Sequence, residues 1–207
     1  ATVFNQNQQN RGEAIMSKVT IGPQRFTYCM PVTLVGTMID AKPNFMVVAS
    51  CGEVNAEPPM ISVAVRHHRY SHRGIRENLT FSVNLPSADL IKETDYCGLV
   101  SGAKVDKVAA CNFDVFFGKL DSAPLIAQCP INLECRVVHI LTLGSHSLFI
   151  GSIEETHVNN GFITGGKVDI DRIKPLIYTM AMTRQYHKIG EAIAPAFSIG
   201  RELGTVE

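Results

Sequence analysis

No stretch of this 207-residue chain reaches the ~18 consecutive apolar residues needed to cross a bilayer as a helix, so no transmembrane helix is expected. The first residues, ATVFNQNQQNRGE, are polar where a secretory leader would be apolar. An excess of either charge is lacking too. Nineteen basic residues offset nineteen acidic ones and the pI is about 7.2, with Lys and Arg not gathered into one run, so no global field draws nucleic acid or an anionic membrane. The six cysteines form no CxxC pair and are too sparse for a disulfide scaffold, which points to reduced thiols and a cytoplasmic protein. Neither GxxxxGK[ST] nor GxGxxG occurs, so a Walker loop and a dinucleotide fingerprint are excluded. No Ser-His-Asp or paired-carboxylate arrangement can be recognised.

What is present suits one β-rich domain. With 45% hydrophobic and 18% charged residues the chain can bury a proper core. Residues 1–18, whose first twelve are heavy in Asn and Gln, read as a loose tail, and residues 19–207 as a single domain. Short runs rich in β-branched residues predict strands at 32–39, 45–49, 60–65 and 79–85, with an edge strand within 19–29. The polar residues between 49 and 60 read as a loop. Two long strands, 131–141 and 146–158, form an antiparallel hairpin. Short helices are expected after Pro86-Ser87, at 105–110 and near 194–199, and Gly36 inside its strand allows a bend or a close backbone approach. Long strands with few long helices indicate a closed barrel.

The chain is organised around residues 44–76. There a strand ending at Arg66 gives way to a helix start, with Ser71 as candidate N-cap and Arg66 and Arg69 beside it. The first-turn N–H groups, the dipole, the hydroxyl and the guanidinium groups make a phosphate site, although the same pattern also describes a capped surface helix with a solvated basic face.

Spaced motifs then converge on one family. Pro31-Val32, Asn44, Ala49-Ser50, Pro58-Pro59, the R-x-x-R-Y-S segment from Arg66 and F-S-V-N at 81–84 stand in one order. D-Y-C-G at 95–98, S-G-x-x-V-D-K at 101–107 and G-S-H-S-L-F-I-G at 144–151 continue it. Together they resemble the flavin reductase-like FMN-binding split barrels, and among these the flavoredoxins, over roughly residues 31–200. The resemblance implies a mainly β, Greek-key-like closed barrel with a few short helices, noncovalent FMN, and a homodimer with the flavin near the interface. It implies hydride transfer from NAD(P)H to flavin or a redox partner. The alternative is an FMN electron carrier without nicotinamide activity.

The same resemblance implies the site. Arg66, Tyr70 and Ser71 would meet the phosphate, and Asn44, Val48, Ala49, Ser50 and Cys51 would line the ring system, with Asn84 close by. Lys107 would reach FMN, where a cation suits the phosphate and the anionic reduced flavin. His146 would contact flavin or nicotinamide as the catalytic histidine, and Tyr178 would pack against the flavin. By residue type alone Asn44 is a turn residue, Lys107 a solvated lysine, His146 a surface histidine, and Tyr178 equally a core aromatic. His67, His68 and His72 lie within six positions, yet they lack an acidic or cysteine partner at zinc-finger spacing, so no metal is expected.

Overall fold

The computed structural model describes residues 18–25, 29–180 and 183–204. Strand β1 is Met30–Pro31, β2 Thr33–Ile39, β3 Lys42–Val48, β4 Cys51–Asn55 and β5 Met60–Arg66. Helix α1 is Tyr70–Asn78, followed by β6 Thr80–Leu85, α2 Ile91–Leu99, α3 Lys107–Ala110, β7 Val115–Phe116 and β8 Leu125–Ile126. The long hairpin is β9 Ile131–Thr142 and β10 His146–Val158. Then come β11 Ile163–Thr164, β12 Lys167–Val168, α4 Ile170–Ile173, β13 Leu176–Thr179 and β14 Gln185–Lys188.

Seven antiparallel strands hydrogen-bond in the order β3-β2-β6-β9-β10-β5-β4. Irregularities in the β9–β10 ladder after Ile150 and Ile153 increase the local twist and help the sheet curl. One apolar core lies inside the curl, where Met46 and Val48 from one end of the order meet Val63 and Val65 from near the other, around Phe81 and Phe149. The expected closed barrel is not a continuous ring of hydrogen bonds, because among the described residues no ladder joins β3 to β4. A second core packs Leu34 and Phe45 against Cys97, Phe113, Ile126 and Cys129, covering the outside of β2 and β3 with α2 and its following segments. Burying Phe45 completely contributes about 1.5–3 kcal/mol.

The polar stretch after Ser50, expected as a loop, is the edge strand β4, pairing Cys51 with Val63 and Asn55 with Met60. Its outward polar side chains hide it from a hydrophobicity reading, because an edge strand faces water. The expected edge strand within 19–29 is not a strand at residues 18–25, and residues 26–28 lie outside those described. The loose tail expected over residues 1–18 lies, apart from residue 18, outside the described part. The helix expected near 194–199 is not formed there; residues 194–198 are irregular or in turns, and a short 3-10 helix follows at Ile199–Leu203. Gly36 does mark a close approach, since a Cβ there would come within 2.6 Å of the Pro124 carbonyl.

Candidate functional site

The site is built on the open edge of β3. Phe45 and Val47 turn toward the outer core while Met46 and Val48 face the inner one, the alternation a pleated strand demands. In an antiparallel edge strand every second residue also turns its N–H and C=O away from the partner strand. The Phe45 carbonyl accepts from Lys107 Nζ at 2.9 Å, which marks the outward set, and Val47 belongs to that set.

At one end of the groove Asn44 and Ser71 meet. The Asn44 side-chain amide donates to the Ser71 Oγ at 2.7 Å, with both residues almost fully buried. Because the hydroxyl accepts there, its own proton is left to donate elsewhere. Ser71 is not the expected N-cap: α1 begins one residue earlier, and the capping position is Arg69, with no side-chain cap. The first turn of α1 therefore has no side-chain cap, and the Ser71 hydroxyl is engaged by Asn44 instead. A hollow of about 110 Å³ opens here, lined by Asn44, Met46, Arg69, Ser71, Gly102 and Lys107 among others. A Cβ on Gly102 would overlap Asn44 Oδ1, so this loop approaches only as glycine.

A second hollow of about 110 Å³ continues along the strand, sharing Met46 and Arg69 with the first and reaching Val48, Ala49, Ser50, Arg66 and His146. A third, of about 370 Å³, shares Val47 and Ala49 with the second and is walled by Tyr178, Tyr186, Asp95 and Arg184. The Tyr186 hydroxyl donates to Asp95 Oδ1 at 2.8 Å, and its ring lies 5.8 Å from that of Tyr178. Joined end to end, the hollows reach the size range of small-molecule clefts, about 300–1,000 Å³.

The electrostatics along the groove are cationic. Among the described residues neither Arg66 nor Arg69 has an ion-pair partner. Lys107, 5% exposed, donates to Phe45 O and, at 2.8 Å, to Cys97 O; burial first, then Arg69, draws its pKa below the ordinary lysine value. Its ammonium thus ties β3 to α2 and keeps one N–H in hand. His146 sits directly across from Arg66 in the β10–β5 ladder, with Nδ1 2.7 Å from Ser145 Oγ. Burial, then Arg66 and Arg25, lowers its pKa, which favours the neutral imidazole.

Two predicted residues are not brought to the groove. Asn84 is fully buried and spends its whole amide on structure: Nδ2 donates to Leu34 O and Ser82 Oγ, and Oδ1 accepts from Ile126 N and Asn132 Nδ2, all within 2.7–2.9 Å. Cys51 packs against the inner core, and burial pushes its thiol up to about 11. Val48 reaches the groove although its side chain is in the core. Tyr70 lines the first hollow, its hydroxyl donating to Asp40 at 3.3 Å. The histidine segment holds no metal cluster: His67 and His72 stack edge to face at 5.5 Å, and no group of three ligands exists among the described residues. Arg69, Val47 and Gly102 complete the groove. Arg69 was legible from its charge next to the helix start, whereas Val47 lies in the strand's outward backbone set and Gly102 acts by lacking a side chain, and neither role leaves a sequence signal.

Residues 25–189 match the flavin reductase like domain. The chain belongs to the flavin reductase-like family. Two solved structures of flavoredoxins resemble this flavin reductase-like chain. That from Methanosarcina acetivorans is 41% identical with a TM-score of 0.87, covering 91% of this chain and all of the other. That from Desulfovibrio vulgaris (Miyazaki F) is 32% identical with a TM-score of 0.83, covering 89% and 100%. An uncharacterized protein of Archaeoglobus fulgidus is 37% identical over 63% of this chain and 73% of its own length. Among the described residues no helix is long and apolar enough to cross a membrane.

Proposed function

We propose that this flavin reductase-like protein binds FMN noncovalently along β3 and acts as an oxidoreductase taking hydride from NAD(P)H and passing electrons to flavin or a redox partner. When bound, FMN supplies the hydride and electron chemistry. The observation that carries the reading is the Asn44–Ser71 hydrogen bond beside Arg69, which has no ion-pair partner among the described residues, at the end of a groove that continues past Val47 to Ala49 and His146. The residues fit the cofactor: uncompensated cations and a donor hydroxyl at one end suit a dianion, and an outward strand edge with apolar neighbours suits a flat heterocycle.

In this scheme Asn44 fixes the Ser71 hydroxyl so that it donates to the phosphate, while Arg69 and Arg66 neutralise it. Val47 and Ala49 shed water from the ring site, with the Val47 backbone offering a donor and an acceptor, and Ser50 closes the far end. The remaining Lys107 N–H gives positive charge close to the site. His146, at the mouth, holds or delivers a proton at Nε2, its Nδ1 being engaged by Ser145. Tyr178 walls the larger hollow beside Ala49, where a nicotinamide would enter. The working unit we propose is a cytoplasmic homodimer, checked by light scattering.

Purified protein with flavin absorbance, bleached rapidly on stopped-flow mixing with NADH or NADPH, is the expected result. Similarity to two flavoredoxins favours a second reading, an electron carrier between redox proteins. A flavin-loaded protein that resists both nicotinamides and is reduced by a protein donor would establish that reading instead.

A further inference from the structure

We infer that the mouth of the groove is a docking surface for an acidic protein carrying a one-electron redox centre. This rests on the FMN reading above and names the kind of partner that it serves. The chain is neutral overall, yet its charge is segregated: residues 14–39, 58–76 and 135–153 contain no Asp or Glu. The fold brings described parts of all three stretches together at His146. That residue stands opposite Arg66 in the β10–β5 ladder, and the titratable groups acting most on it are Arg66, Arg25, His67 and His68, with no carboxylate among them. The His67 ring stacks edge to face on His72, and Arg76, one turn further along α1, acts on His72 in turn. Arg25, Arg66, Arg69 and Arg76 are all exposed, and none has an ion-pair partner among the described residues.

Bound flavin leaves much of this charge unused. Arg66 and Arg69 line the groove, but neither Arg25 nor Arg76 borders its hollows. Their charge is turned to solvent, where it steers an oppositely charged surface instead of gripping a buried phosphate. The patch also has an apolar neighbour. His67 N donates to Ser145 O at 3.4 Å, which draws the β9–β10 turn alongside, and Leu141 and Leu143 beside that turn are half exposed. A cationic surface next to a small apolar one suits the limited, short-lived contacts of electron-transfer proteins. Because Arg66 and His146 also line the hollow at Ala49 and Ser50, a partner seated on the patch lies over the ring end. Each encounter passes one electron from the partner's centre to the oxidised flavin, a second encounter brings the second electron, and the protons come from water.

The test is stopped-flow bleaching of the FMN-loaded chain by a reduced plant-type ferredoxin, an acidic protein with a single-electron iron–sulfur centre. The bimolecular rate is expected to fall by about tenfold or more as ionic strength rises from about 0.05 to about 0.5 M. The Arg25→Glu/Arg76→Glu double variant should slow it by about tenfold or more at the low-salt end and flatten the salt dependence. FMN affinity should stay unchanged, and the rate with reduced methyl viologen, a small cationic donor, should not fall. A parent rate that ignores salt, or a double variant as fast as the parent, would overturn the inference and leave the FMN reading intact. Equal slowing with methyl viologen would also overturn it, by placing the fault in the groove. Binding to phosphatidylserine vesicles that the double variant loses, with the ferredoxin rate untouched, would assign the patch to a membrane instead. Failure of FMN to bind would sink the FMN reading and this inference with it. Should the double variant unfold, the salt dependence of the parent decides.

Discussion

Replacing Asn84 by Leu separates a cofactor role for this residue from the structural one its surroundings give it. The change deletes four hydrogen bonds at once, those to Leu34 O, Ser82 Oγ, Ile126 N and Asn132 Nδ2. Ser82 keeps its bond to Pro124 O, and Asn132 keeps Ile126 O. The Ile126 N–H, the second Asn132 N–H and the Leu34 carbonyl lose a partner in a region with essentially no solvent access. At about 1–3 kcal/mol for each of these three buried polar groups, the expected loss is about 3–9 kcal/mol, a large share of the ~5–15 kcal/mol that holds such a domain folded. Urea unfolding followed by circular dichroism should show a much lower midpoint with an unchanged slope. FMN affinity of the folded fraction should stay within about twofold, because nothing in the groove touches Asn84. Asn132→Ala should be strongly non-additive with it, since the two side chains share one network. Stability within about 1 kcal/mol of the parent, combined with a tenfold loss of FMN affinity, would refute this reasoning and restore Asn84 to the site.

Ser71→Ala should weaken FMN by about tenfold and leave riboflavin unchanged, measured by titration of the two flavins side by side. Gly102→Ala should displace Asn44, whose Oδ1 would be overlapped, and reduce FMN affinity at least as much with little change in melting temperature. His72 and His146 both have pKa values held below 6.5, in each case chiefly by burial. Between those lowered values and 6.5 the unfolded chain binds more protons than the folded one, so stability rises with pH there and falls as pH drops through the window. Unfolding midpoints collected from pH 5 to 7 should show this slope, and it should flatten in His72→Gln combined with His146→Gln. Exposed Cys29 should be alkylated first at neutral pH, with Cys51, its thiol raised to about 11, reacting far more slowly by mass spectrometry.

The sequence was legible where a pattern depends on side chains that alternate or repeat. Strands β2, β3, β5 and β6 and the β9–β10 hairpin fall where their apolar runs place them, and the Ser87 cap and the short α3 turn stand where expected. It was illegible where structure rests on water-facing or backbone groups. Strand β4 is polar because it is an edge, and the Ser71 hydroxyl is engaged by Asn44, 27 positions away, a pairing that no local pattern announces. Asn84 misled for a related reason: an amide in a motif looks the same whether it faces a ligand or saturates a core, and only the positions of Ile126 and Asn132 decide.

Strand β3 ends its sheet, with a rim of main-chain groups facing the groove. Those groups are the same for every residue except proline, so other mutations at 47 can alter the shape of the groove without deleting its main-chain donor and acceptor. A scaffold of this kind can change which molecule it accommodates by swapping side chains around a grip that only proline would take away.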